Sequence, residues 1–465
     1  MNSILKQEKW FLLGLFFCAL ALRLVYFETF LRDNPCVLMF DSGQYHELAT
    51  EITQGHGFAK PDGSPQFYRL PGYSLFLALC YKIFNFLKLS NIIQATLLVQ
   101  IILASCIPVL IFLLALRMFP HDRRAAKIAG IIACIHHGFL IFSGLIMSES
   151  LFIIFFLLFL LMLFRLPVTT PIMLCAGLLL GCVSMIRSVG FALLIVSFLV
   201  IAMTVRPAYR AMIMLFIGWL LVIGIWLARN YMLTGYIFLD TLSGAHLLNH
   251  QAVPVLMKAE QIPHAQAKNK VYALFEEQKR AREKKLQRPL YDIELCHIAH
   301  QITKKLGKKY QYATLKHNFF NIFKTCFSLY ASELLVIDSA GSLPDYDNNR
   351  TLGSMLKRYL MPDVSNTFIV YAIFFEIVLF LVILIGFFGV FTMIHDDSFV
   401  NFLNNFCMRM LPFMIVLLGI SFACGFARLR LPLSPFFIIV SSRFWSLMAK
   451  KMIKKNDEEK RVTRD

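Results

Sequence analysis

Asp41-Ser42-Gly43-Gln44-Tyr45 brings a carboxylate, an amide and a phenol together just after the first long apolar run. A carboxylate held at a membrane surface can accept the proton of an attacking hydroxyl. The same residues have capping-box spacing, Asp41 to Gln44, ahead of the apolar positions that start at Leu48. Neither description excludes the other. In Phe67-Tyr68-Arg69-Leu70-Pro71-Gly72-Tyr73, Pro71 biases Leu70 toward extended geometry and the Pro-Gly pair reads as a turn. Arg69 therefore sits on a fixed bend, suited either to an anion or to snorkelling at an interface. Met147-Ser148-Glu149-Ser150 supplies a second acid, with Ser148 able to cap the next helix and Glu149 to favour its N-terminus. Arg428-Leu429-Arg430-Leu431-Pro432 is the most telling by charge. In an extended backbone residues two apart point the same way, so these guanidinium groups are expected to converge, and paired forks suit a phosphate or pyrophosphate. Arg187 is a further candidate for the same task.

These groups must be held by helices in a membrane. The 465-residue sequence is 58% hydrophobic, with apolar runs long enough to cross the roughly 30 Å hydrocarbon core. Spans are expected at about 10–30, 91–116, 128–147, 150–165, 170–186, 188–205, 211–228, 366–394, 410–426 and 431–449. The first lacks a small-residue cleavage site and reads as a retained helix. Basic connections at Arg117–Lys127, Arg165, Arg206–Arg210 and Lys450–Lys455 then share the N-terminal side, which the positive-inside rule makes cytoplasmic. Leu70–Leu89 and the amphipathic Phe319–Ile337 are expected to lie in the outer interface. The chain thus divides into a membrane module at 1–229, an external region at 230–365 that carries a basic helical insert at 258–309, and a second membrane module at 366–465. The net charge of +18 lies in loops and tail, matching orientation signals and anionic lipids rather than nucleic acid. The eleven cysteines form no disulfide framework or zinc spacing; only Cys36, Cys296 and Cys326 sit where an oxidising compartment could pair them.

Taken in order, the polar motifs resemble the GT-C fold glycosyltransferases, most closely family 39, which includes the protein O-mannosyltransferases and the lipid A aminoarabinose transferase. Asp41 with Tyr45 and Leu48-Ala49, then Gly55-His56-Gly57-Phe58 and Arg69-Leu70-Pro71-Gly72-Tyr73, resemble that family's first external loop. Ser148-Glu149-Ser150-Leu151-Phe152 resembles its acidic second loop. Arg229-Asn230-Tyr231 and Ser243-Gly244-Ala245-His246-Leu247 resemble the opening of its large external region, and Arg428-Leu429-Arg430-Leu431-Pro432 its last loop. The family commonly has a second proline at Leu70 and prolines at His136-His137, and the insert 258–309 has no clear counterpart there.

The resemblance implies an inverting transfer of a sugar from a polyprenyl-phosphate-linked donor to an acceptor hydroxyl on the non-cytoplasmic face of a bacterial inner membrane. In it Asp41 is the general base, Glu149 orients hydroxyls, Arg69, Arg428 and Arg430 hold the donor phosphate, and Tyr45, Tyr73 and His246 are further substrate contacts. The acceptor is a glycan, a lipid or a protein. No cofactor is needed, and without a DxD-type pair of carboxylates no metal is expected. The rival is a transporter or flippase of lipid-linked glycans, which requires ionisable residues at mid-span. Within the spans only Arg23 and Glu376 stand out.

Overall fold

The computed structural model describes residues 6–32, 41–165, 168–330, 367–393, 406–419 and 427–462. The first half runs α1 (Lys9–Phe30), α2 (Asp41–Gln54), α3 (Pro71–Phe86), α4 (Ile92–Ala104), α5 (Ile107–Met118), α6 (Arg123–Ile135), α7 (His137–Ile141), α8 (Glu149–Leu163), α9 (Thr170–Ile186), α10 (Val189–Thr204) and α11 (Ala208–Thr234). Then follow α12 (Leu242–Leu247), α13 (Val253–Glu260), α14 (His264–Leu286), α15 (Asp292–Lys309), α16 (Gln311–Phe327), α17 (Thr367–Gly389), α18 (Leu411–Gly419) and α19 (Ser434–Val462). The described residues are all-α, with one isolated bridge between Ala59 and Pro65.

Four stretches, Lys9–Phe30, Ile92–Met118, Ala208–Thr234 and Val370–Thr392, are helical, long and apolar enough to cross a membrane. Of the other expected spans, those at 150–165, 170–186 and 188–205 and the described part of 410–426 are shorter apolar helices, and the one at 431–449 is the start of the 29-residue α19, whose second half is polar. The stretch expected at 128–147 stops as a helix at Ile135, where His136 turns extended (φ −70°, ψ 117°), and resumes only as the single short α7. Non-helical backbone at this depth must find its hydrogen bonds inside the protein. Gln100 of α4 supplies them: its amide donates to the Ser143 and Leu145 carbonyls at 2.9 and 2.7 Å, and the Tyr73 hydroxyl donates back to its oxygen at 2.7 Å.

Packing uses small residues and rings. A methyl on Gly177 would strike the Leu215 carbonyl and one on Gly218 the Leu174 carbonyl, so glycine lets α9 and α11 approach closely. Phe156 of α8 meets Phe413 of α18 and Phe436 of α19 at centroid separations of 6.4 and 6.1 Å. The insert does form helices, α14 and α15. They share a second small core with Leu248, Val253, Leu256, Val271, Ile298 and Ile302. The boundary expected after residue 229 falls inside α11, which continues to Thr234. Gly235 ends it in the left-handed region at φ +76°, where a side chain is strained. On α16, Tyr312, Leu315 and Phe319 are exposed while His317, Asn321 and Thr325 are buried. An apolar outer face over a polar inner one suits the interfacial placement expected there. Residues 331–337 of that stretch, and Cys36, lie outside the described residues; Cys296 and Cys326 are free thiols.

Candidate active site

Asp41 opens α2, and Pro71 at the start of α3 fixes the residue before it: Leu70 is extended (φ −75°, ψ 148°), as the Leu-Pro pair predicts. That bend aims Arg69 back at α2. Its Nη2 donates to Asp41 Oδ1 at 2.5 Å and its Nε to Gln44 Oε1 at 2.8 Å. Arg428 arrives from the far end of the chain and donates from Nη1 to Asp41 Oδ2 at 2.8 Å. Both carboxylate oxygens are therefore engaged by guanidinium groups. The Asp41 side chain is 26% exposed and Arg428 20%, so the pair stays open to a ligand, whereas Arg69 is 6% exposed. Burial alone would raise the Asp41 pKa, but the charges of Arg428 and Arg69 outweigh it and hold the carboxyl at about 2. Two cations on one anion leave a net positive charge at the cluster.

The aromatic residues of the first loop frame Arg69. Its guanidinium lies over the Tyr45 ring at 5.0 Å and the Tyr68 ring at 5.3 Å. The Tyr45 hydroxyl reaches Ser148 Oγ at 3.4 Å, tying the first loop to the second. There Glu149 is buried and accepts from Arg187 Nη1 at 2.7 Å. Arg187 is thus committed to a carboxylate. Tyr73 is fully buried and bonded to Gln100, which makes it a support for the second loop rather than a surface that a substrate touches.

The expectation that Arg428 and Arg430 converge is wrong. Ala427–Arg430 is a turn of 3₁₀ helix, not a strand, so residues two apart diverge. Arg430 points inward, 4% exposed, donating to the Cys326 carbonyl at 2.6 Å and lying 3.9 Å from Glu376. Its guanidinium also sits over the Tyr330 ring at 4.6 Å. Glu376 in turn accepts from the Tyr330 backbone N–H at 2.7 Å.

His246, on α12, does join the cluster. Burial first, then His250 and Arg428, push its imidazole down to about 4 despite the nearby Asp41. It is therefore neutral at pH 7. Asp240 was missed by the sequence reading. It lies within the field of Arg69, accepts from the Leu242 N–H at 3.0 Å, and burial raises its carboxyl above the usual range. A lone acid in the uncharged stretch after α11 was the available signal. Arg229 keeps the loop in place, donating to the Phe58 carbonyl at 2.8 Å and lying 4.6 Å over Trp226. Among the described residues no group of three or more His, Cys, Asp or Glu could hold a metal ion.

No family model matches the sequence, and no curated protein matches it either. Solved structures do. The archaeal oligosaccharyltransferase AglB of Archaeoglobus fulgidus, in complex with an inhibitory peptide and a dolichol-phosphate, superposes with a TM-score of 0.52 at 13% identity over 97% of this chain. The fold is GT-C. The apo form of the same enzyme gives a TM-score of 0.51 over 98% of this chain, and a form tethered to an acceptor peptide gives 0.50 over 96%. This chain spans about half of that protein, 52% of the length in the first comparison.

Proposed function

We propose that this chain is a membrane glycosyltransferase of the family 39 kind, moving a sugar from a polyprenyl-phosphate donor to an acceptor hydroxyl on the non-cytoplasmic face. The observation that carries the reading is Asp41 clamped between Arg69 and Arg428, an acid and two cations drawn from opposite ends of the sequence. The fold shared with an enzyme solved with a dolichol-phosphate supports it.

The chemistry follows from the charges. The acceptor oxygen attacks the anomeric carbon and gives its proton to Asp41 as the bond to the donor phosphate breaks. The polyprenyl phosphate leaves with the electron pair, and the guanidinium groups stabilise its charge. With its pKa held at about 2, Asp41 is a weak base while both arginines grip it. A donor phosphate competes for the same two forks. Drawing them off Asp41 raises its basicity when the donor is in place, which couples donor binding to proton abstraction. In this reading neutral His246, which lies in the field of Arg428 and Asp41, and Glu149, held by Arg187, orient hydroxyls.

The test is Asp41→Asn in purified, lipid-reconstituted protein supplied with polyprenyl-phosphate-linked sugars. Asparagine keeps the size and one acceptor oxygen but cannot take a proton. Turnover is expected to fall at least about a hundredfold, the scale of a general base, with abundance unchanged. Activity retained in Asp41→Asn would remove the base from the mechanism.

A further inference from the structure

A cleft of about 730 Å³ opens beside the arginine clamp, between the first external loop and the insert helices α14 and α15. Its size falls within the range of about 300–1,000 Å³ usual for small-molecule sites. One wall is Gln44 and Tyr68, the residues that touch Arg69; the opposite wall carries Tyr272 and Phe275 of α14 and Asp292 of α15. Glu47 is exposed on the α2 side. We infer that this cleft is the acceptor site and that it takes an uncharged glycan. The inference rests on the glycosyltransferase reading above, and it gives the insert 258–309 a task.

Three features select the ligand class. First, charge: α14 is rich in lysine and arginine, yet none of them lines the cleft. The lining has Glu47, Asp62 and Asp292 against Lys60 alone, and Lys60 is already 3.5 Å from Asp292. That balance repels a phosphorylated or uronic acceptor. Second, shape chemistry: half-buried rings of Tyr68, Tyr272 and Phe275 offer flat faces to the C–H side of a sugar, while Glu47 and Gln44 accept from hydroxyls. The Tyr272 hydroxyl donates to Asn249 at 3.0 Å, which holds that ring in place. Third, the main chain is occupied. Lys60 N–H donates to Ser64 at 2.8 Å, Gly63 N–H to Lys60 at 2.9 Å and Gln66 N–H to Phe58 at 3.2 Å, and the other walls are helices. Extended peptides gain affinity from open strand edges, and the described walls of this cleft present none.

Binding to the solubilised full chain tests this with three classes of probe: chitotriose and mannotriose as neutral glycans, trigalacturonate as an acidic one, and a Ser/Thr-rich peptide. Saturation-transfer NMR is expected to detect a neutral trisaccharide and not trigalacturonate. Glu47→Gln and Phe275→Ala should each weaken it by about tenfold or more, the first through a lost charge-assisted contact and the second through a lost stacking face. Glu47 is exposed, so its variant guards against a folding artefact. Polyprenyl-phosphate binding, measured in parallel, should depend on Arg428 and not on Glu47 or Phe275. No neutral glycan bound, binding indifferent to both substitutions, or the peptide bound in their place overturns the glycan assignment while leaving the donor site standing. Loss of polyprenyl-phosphate binding in the unaltered protein instead sinks the glycosyltransferase reading itself.

Discussion

At the scale of residues, the two arginines of the last loop do different things, and their substitutions should separate. Arg428 is partly exposed and grips Asp41 with one fork, so Arg428→Lys retains charge but loses planar, bidentate geometry. Donor binding or turnover is expected to weaken by about 1–3 kcal/mol, with abundance unchanged. Arg430 is buried against the Cys326 carbonyl, Tyr330 and Glu376. Lysine cannot reproduce that set, and Arg430→Lys should lower the thermal unfolding midpoint in detergent before it affects donor affinity. Equal behaviour of the two variants in both assays would contradict this division. Both arginines lie on the turn at 427–430, but whether they converge depends on its 3₁₀ geometry, which the Arg-x-Arg spacing does not encode. Asp41 and Arg69 were legible because Pro71, just after Arg69, fixes the bend that aims it back at α2. The Glu149–Arg187 pair was not, since its partners are brought together only by the packing of α8 on α9.

At the scale of elements, hydropathy finds apolar runs but not the breaks inside them. The segment between α7 and α8 shows why. Its carbonyls are satisfied by Gln100, a single amide in α4 whose orientation is set by Tyr73 from α3. Gln100→Leu should remove a buried donor from two carbonyls at a cost of about 1–3 kcal/mol, read as a lower unfolding midpoint. Tyr73→Phe should cost less, because the amide remains. Helices α12 to α16 have their own signature in pH. Burial leads in holding His246 and His317 down at about 4 and His250 below its ordinary value; Arg428 and His250 around His246, and Lys258 and Lys324 around His317, add to the effect. Unfolded histidine titrates near 6.5, so the unfolded chain binds more protons below that pH. Stability of this region is therefore full above about 6.5 and lost progressively as pH falls toward 4. Hydrogen exchange of α12 to α16 at pH 7.5 and pH 5 should show faster opening at pH 5, and a triple substitution of these histidines should flatten the difference.

At the scale of the whole molecule, the mechanism needs the polar clusters on one side and the basic loops on the other. Two sets of contacts group the chain in that way. At one end, Lys127 pairs with Glu8 at 2.9 Å, Arg123 donates to Gln7 at 2.7 Å, and Asp122 is held by Arg443, by Ser446 at 2.7 Å and by Lys450 at 3.5 Å. The N-terminal residues, the start of α6 with its cap Asp122, and α19 from Arg443 to Lys450 therefore meet. At the other end of α1 and α19, Gln94 donates to the Arg32 carbonyl at 3.0 Å and Arg430 closes the loop that carries Arg428 toward Asp41. A helix of 22 residues, the length of α1, is about 33 Å long, enough to separate the two sets by a bilayer. Single cysteines at the exposed positions 62 and 280 should therefore react with an impermeant maleimide on intact cells, and those at 124 and 456 only after permeabilisation. The first pair reports the catalytic loop and the insert, the second the basic loop and the tail. Position 124 is the decisive one, because whether α3 crosses the membrane or lies in its outer interface sets the side of every later helix. Labelling of 124 from outside would put Glu149 on the cytoplasmic side, away from Asp41, in conflict with the Tyr45 to Ser148 contact that joins their loops.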